Sequence, residues 1–174
     1  MLLNGKEIDN FYQIQLPEYT VIVAETQERL IIMERQYKHA VSKIILNLPA
    51  GYLNPNESPL TCAQRELLEE TGFKAENWYH LGSFLVDGNR GCGKMHTFIA
   101  LGAYYVQKPH TDESEGIDVI LIDPKEAYQS LLNGRIVTLG SAIALALAFY
   151  RSLLICLSMS MPLLSMSTLH VNAK

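Results

Sequence analysis

Short apolar runs bounded by turn residues recur along the first two thirds of the chain. They predict strands at 19–25 (YTVIVAE), 29–34 (RLIIME), 43–48 (KIILNL), 81–86 (LGSFLV), 96–105 (HTFIALGAYY) and 117–122 (IDVILI). Three segments carry helical signals instead. The first spans 59–71, with Ser58 as N-cap, Pro59 opening the helix and Gly72 just past its end. The second starts at Pro124 behind Asp123, has Glu126 at the capping-box position and closes at Asn133 and Gly134. The third runs from about Leu139 to Leu154.

Strands before, between and after helices imply an α/β sandwich in which helices cover the faces of a mixed sheet. No internal repeat is visible. After residue 155 the chain changes to serine, methionine and leucine without clear period. The reading is therefore a domain over 1–155, with 1–18 an N-terminal extension, and an appendage over 156–174.

Composition narrows this. A chain of 174 residues, 48% hydrophobic and 18% charged, makes one ordinary domain that buries roughly 70% of its unfolded surface. A net charge of −4 supplies no basic field for a nucleic-acid backbone, so nucleic acid is not an expected partner. Cys62, Cys92 and Cys156 are odd in number and lack CxxC spacing, which argues against disulfides and a zinc site and for a cytoplasmic setting. The first residues show no basic stretch followed by an apolar one, so no signal peptide is expected. The apolar 142–164 segment is long enough to span a bilayer, but Arg151 near its middle costs roughly 2.5–3.5 kcal/mol there. Serines and Pro162 dilute it further, and no membrane span is expected.

The candidate chemistry sits on the first helix. Glu66, Glu69 and Glu70 stand at i, i+3 and i+4, so their carboxylates share one face, while Leu60, Ala63, Leu67 and Thr71 fall on an adjoining face suited to packing. Like charges one turn apart destabilise a helix by roughly 0.2–0.5 kcal/mol per pair, and Arg65 relieves only part of this. A hard divalent cation, Mg²⁺ or Mn²⁺, would relieve the rest and share its shell with substrate phosphates. A solvated acidic face would carry the same residues.

The spacing extends past the helix. Gly51, Glu57, Arg65-Glu66-Leu67, Glu69-Glu70 and Gly72-Phe73 match the pattern GX5EX7REUXEEXGU, with U apolar, at every defined position. The chain thereby resembles the Nudix hydrolases, which cleave nucleoside diphosphates linked to another moiety with the help of divalent metal. The resemblance implies a Nudix α/β/α sandwich with a mixed β-sheet. It also implies that Glu66, Glu69 and Glu70 hold metal and that Arg65 pairs with Glu57 to lock the loop onto the helix.

The lead-in RQYKHAVSKIILNLPAGYL, from Arg35 to Leu53, resembles the ADP-ribose pyrophosphatase group through Gln36-Tyr37-Lys38 and Pro49-Ala50-Gly51. That resemblance implies that the Ala50 carbonyl joins the metal shell and that Arg35 and Lys38 serve substrate binding, Lys38 facing phosphate. An ordinary edge-strand lysine fits Lys38 equally. The segment TDESEGIDVILID, 111–123, resembles the same group's acidic loop, making Glu115 a further metal ligand and Glu113 the general base; a plain polar loop is the alternative. Arg90, among Gly88, Gly91 and Gly93, would touch a phosphate or ribose, or simply belong to a hairpin loop. Two departures stand out: Asn47, where these enzymes often carry glutamate, and Gly88 or its neighbours, where they often carry proline. His39, His80, His96, His110 and Trp78 are read as structural.

The implied activity is hydrolysis of ADP-ribose to AMP and ribose 5-phosphate by a homodimeric enzyme. The alternatives are other NDP-sugars, dinucleotides or nucleoside triphosphates as substrates, or a module that senses ADP-ribose without turnover.

Overall fold

The computed structural model describes residues 4–5, 7–110 and 116–160, with side chains through Arg151. Its strands are β1 (Tyr19–Thr26), β2 (Ile31–Lys38), β3 (Lys43–Asn47), β4 (Ala50–Tyr52), β5 (Phe73–Lys74), β6 (Asn77–Leu85), β7 (Lys94–Tyr105) and β8 (Asp118–Ile122). Three helices accompany them: α1 (Pro59–Thr71), α2 (Pro124–Leu132) and α3 (Leu139–Ser160).

The sheet is mixed, since β1 pairs in parallel with β7 while its other pairings are antiparallel. Its central feature is a split. β1 and β2 pair only at Ala24 with Ile32 and Glu25 with Ile31, then part. β4 takes over the vacated edge of β1 from Tyr19 to Val21, and β3 takes over β2 from Glu34 to Lys38. The backbone N–H of Ile22 reaches Pro49 O at 2.9 Å, tying the connection between β3 and β4 into the opening.

Alternation of side chains along β1 then builds two cores. Ile22 and Ala24 meet Ala63 and Leu67 of α1 on one face, together with Phe98 and Ala100 of β7. Val21 and Val23 meet Ala144, Leu145 and Ala148 of α3 and Ala127 of α2 on the other. This is the expected α/β/α sandwich. Each fully buried leucine such as Leu67 or Leu145 contributes about 1.5–3 kcal/mol.

The local signals act as read. Ser58 Oγ accepts from the Thr61 N–H at 3.1 Å at the start of α1, and Gly72 ends that helix with φ +77° and its N–H on Leu68 O. Asp123 Oδ1 caps α2 by accepting from the Lys125 N–H at 2.8 Å. Several boundaries differ. A turn through Arg29 occupies the start of the second expected strand, and β2 continues through polar Arg35 and Lys38 because β3 and β8 pair with it. β6 starts four residues before the apolar run, where Asn77 and Trp78 pair with β7. β4 and β5 are too short to show alternation, and α3 runs to Ser160 rather than Leu154.

On α1, Leu60 is 40% exposed and Cys62 is buried in its stead, against Thr20. Leu60 shares the angular position of Thr71 but lies in the first turn, where it stays partly open to solvent. Cys62 and Cys92 are free thiols. Among the described residues, no helix is long and apolar enough to cross a membrane.

Candidate active site

The opening between β1 and β2 leaves a cavity of about 690 Å³ over which α1 lies. Arg65, Glu66, Glu69 and Glu70 line it from the helix, Ala50, Gly51, Tyr52 and Asn54 from β4 and the loop after it, and Tyr19, Gln36, Lys38 and His110 complete it. Residues separated in sequence by as much as Tyr19 and His110 thus meet around three carboxylates.

Arg65 organises this wall. Its Nε and one terminal nitrogen reach the two Glu57 oxygens, both at 2.9 Å, a bidentate pair that ties the loop before α1 to the helix. The other terminal nitrogen donates to Glu66 Oε1 at 2.6 Å and Glu69 Oε2 at 3.0 Å. A further bond goes to Tyr52 O at 3.0 Å. One guanidinium therefore serves three carboxylates and a carbonyl. Its bonds to Glu57 hold that carboxyl well below the usual range, at about 2. Burial pushes Glu66 up, opposed by Arg65. Burial likewise pushes the Cys62 thiol up to about 11, leaving it un-ionised beside the site.

Glu70 is oriented from another direction, its Oε2 accepting the Ala50 N–H at 2.8 Å. Glu66 lies against Gly51 so closely that a β-carbon there would stand 2.0 Å from its Cδ and Oε1. The glycine is a cradle for a carboxylate.

Among the described residues, no three acidic, histidine or cysteine side chains enclose an ion by themselves. The donors nonetheless suit a hard cation: oxygen only, two carboxylates held in place by backbone contacts, and an open cavity in front of them. Mg²⁺ usually binds in this manner, taking one or two carboxylates and completing its shell from water and phosphate.

The other expected residues divide. Lys38 and Gln36 line the cavity. Arg35 does not, because successive strand residues face opposite ways; it pairs instead with Asp118 across β2 and β8. Arg90 lies in the β6–β7 hairpin, bonded to Asp87 at 3.2 Å, and lines a separate groove with Asn10, Phe11 and Tyr12. Glu113 and Glu115 fall outside the described residues. His110, read as structural, lines the cavity and donates its backbone N–H to Glu69 O at 2.7 Å. His80 and His96 form a hydrogen-bonded row through Ser83 to Glu18, away from this cavity.

The family model described as NUDIX domain matches residues 16–138, which takes in the sheet, α1 and α2. The chain belongs to the Nudix family. Within it, the chain is 33% identical over 132 residues to the methanol dehydrogenase activator of Bacillus methanolicus, covering 75% of this chain and 71% of that protein. It is 29% identical over 117 residues to the ADP-ribose pyrophosphatase of Bacillus subtilis strain 168, covering 67% and 63%. A solved structure described as an ADP compounds hydrolase superposes with a TM-score of 0.71 at 23% identity, over 83% of this chain and 77% of that one. The protein is a Nudix pyrophosphohydrolase with ADP-ribose pyrophosphatase-like relatives. The Glu57–Arg65 pair and the Gly51–Glu66 contact are thus the physical content of the Nudix spacing in this chain.

Proposed function

We propose that this Nudix protein hydrolyses the pyrophosphate bond of a nucleoside diphosphate sugar, with ADP-ribose giving AMP and ribose 5-phosphate. The observation that carries this is the convergence of Glu66, Glu69 and Glu70 with Ala50 and Lys38 on one cavity. A pyrophosphate repels an attacking hydroxide, so its cleavage needs charge neutralisation, an activated water and in-line placement. Mg²⁺ or Mn²⁺ held by Glu66, Glu69 and Glu70, with Glu115 and the Ala50 carbonyl, would offset phosphate charge and acidify water. Lys38 contributes a positive charge toward the phosphates, and Arg65 with Glu57 keeps the acidic face from moving. Glu113 takes the proton of the attacking water, a role supported by the resemblance of the TDESEGIDVILID segment to the acidic loop of the ADP-ribose pyrophosphatase group.

The likeness to the ADP-ribose pyrophosphatase of Bacillus subtilis supports ADP-ribose as substrate, and the lead-in residues agree, whereas the methanol dehydrogenase activator of Bacillus methanolicus points to no particular substrate. Kinetics on a substrate panel, read as phosphate released by added phosphatase, test this. ADP-ribose or a related NDP-sugar should exceed every nucleoside triphosphate in kcat/KM; a preferred triphosphate would overturn the substrate assignment.

We also propose a cytoplasmic homodimer. Phe11, Tyr12, Ile14 and Leu16 of the N-terminal segment are all exposed, as is Leu85 at the end of β6. A row of apolar side chains of this kind supports burial against a second copy. Sedimentation at micromolar concentration should show a dimer, and a monomer alone would refute it.

A further inference from the structure

His80, Ser83, His96 and Glu18 form a hydrogen-bonded row that lines no part of the carboxylate cavity. Three residues apart on a strand, His80 and Ser83 would face opposite ways. The pairing of β6 with β7 skips Leu81, however, and this bulge turns both toward the face that carries His96 and Phe98. His96 is the cross-strand partner of Ser83, and Phe98 that of His80. The row therefore continues the face on which α1 packs, but at an end open to solvent: Ser83 and His80 are exposed, while His96 beneath them is 7% exposed.

Glu18 fixes every proton in the row. Its carboxylate can only accept, so the bond of 2.6 Å between Oε2 and His96 places a proton on Nε2. That bond, helped by Lys94 at 3.6 Å, holds Glu18 below the usual carboxylate range and keeps it ionised. With Nε2 protonated, Nδ1 of the neutral ring is bare, and the Ser83 hydroxyl donates to it at 2.8 Å. The remaining bond, of 3.0 Å, is then donated by His80 Nε2 to Ser83 Oγ. A hydroxyl oxygen has two lone pairs, so one takes the His80 N–H and the other is left for an incoming electrophile. A nucleophile bonded to a base that a third group orients is the arrangement by which proteins activate serine.

We propose that Ser83 is an acylation site, with His96 as its base, that accepts the acyl group of a small activated donor of the acyl phosphate or thioester class. Oγ attacks the carbonyl carbon while its proton passes to His96 Nδ1, and the His80 N–H stabilises the charge that develops on the oxygen. The C–O or C–S bond of the donor then breaks. Phosphate or thiolate leaves with the proton from His96, the acyl group remains as an ester on Oγ, and nothing is oxidised or reduced. Glu18 acts through His96 as a positioning residue, holding the ring in the tautomer that accepts from serine. An exposed hydroxyl with no enclosing walls suits a donor of a few atoms rather than a large one.

The test treats the full chain in EDTA with p-nitrophenyl acetate, and in parallel with acetyl phosphate and a small acetyl thioester, and follows p-nitrophenol release and the acetylated positions by peptide mass spectrometry. Ser83 should be acetylated about 10²-fold or more faster than Ser42, an exposed serine whose hydroxyl donates to the His39 carbonyl instead of a base. His96→Gln should remove that advantage. Since His96 is buried, the half-exposed Glu18 supplies a second variant: Glu18→Gln should slow Ser83 by about tenfold or more, Glu18→Asp should recover part of the rate, and acetylation of the exposed Lys125 should stay the same in both. An ester that turns over too fast to accumulate would show instead as continuous p-nitrophenol release that Ser83→Ala abolishes, which supports the assignment equally. Ser83 no faster than Ser42, with release unchanged in Ser83→Ala, would overturn it, and so would fast acetylation of Ser83 that neither His96→Gln nor Glu18→Gln slows. The outcome is separable from the hydrolytic reading, because a protein that cleaves no diphosphate should still be acetylated at Ser83, and Glu70→Gln should leave that rate as it is.

Discussion

The carboxylate of Glu66 occupies the space that a side chain on Gly51 would fill, its Cδ and Oε1 2.0 Å and its Oε2 2.4 Å from the position of such a β-carbon. What the β-carbon would meet is the end of a flexible side chain rather than backbone. Gly51→Ala should therefore push the carboxylate aside without unfolding the protein. A displacement of about 1 Å at a reacting centre can cost about 10²-fold in rate. Kinetics paired with thermal denaturation check this: kcat/KM should fall by that order while Tm stays within a few degrees, and a Tm collapse would contradict it.

The Glu57–Arg65 pair makes a pH-dependent contribution to stability. The folded pKa of Glu57, about 2, lies below its unfolded value of 4.5. The unfolded state therefore binds the proton first as pH falls, so the contribution is complete above the unfolded pKa and drains away as pH drops through about 2. Urea titrations from pH 7 to pH 2 should show wild type losing stability across this window more steeply than Glu57→Gln. At pH 7 the variant should be destabilised by about 1–3 kcal/mol, the scale of hydrogen bonds to charged groups. Parallel pH profiles would contradict the pairing.

Gly72 behaves differently from Gly51. Its φ is +77°, and an added β-carbon would stand 1.9 Å from the backbone oxygen of Gln107. Gly72→Ala should destabilise by about 2 kcal/mol or more, combining left-handed strain with a backbone clash. Chemical denaturation decides, and an unchanged midpoint would contradict the close approach of α1 to the end of β7.

Glu113→Gln tests the proposed base. Loss of proton removal should lower kcat by about 10²-fold or more with little change in KM, because that step belongs to the transition state. A raised KM at unchanged kcat would assign Glu113 to substrate binding instead.

How much of this was legible depended on whether a feature was local. The bounds of α1, with its Ser58 cap and Gly72 stop, follow from adjacent residues, and so does the shared face of Glu66, Glu69 and Glu70. The split between β1 and β2 is not local. It arises from which strands pair, so Tyr19 and His110 reach the cavity without any signal of spacing. Tyr52 and Asn54 lay within the matched motif, but at positions it leaves undefined. Arg35 stands beside Gln36 in sequence yet points elsewhere, an alternation that would have separated it from Gln36 and Lys38 once the strand was extended through 38.

The central claim is that the carboxylate face of α1 works with a divalent cation to split a pyrophosphate. Formation of AMP and ribose 5-phosphate from ADP-ribose, measured for wild type and Glu70→Gln with Mg²⁺ and again with EDTA, tests it most directly. Wild type should produce both products only with the metal, and Glu70→Gln should be slower by about 10²-fold or more while retaining the wild-type circular dichroism spectrum. Hydrolysis that persists in EDTA, or a Glu70→Gln rate near that of wild type, would contradict the account.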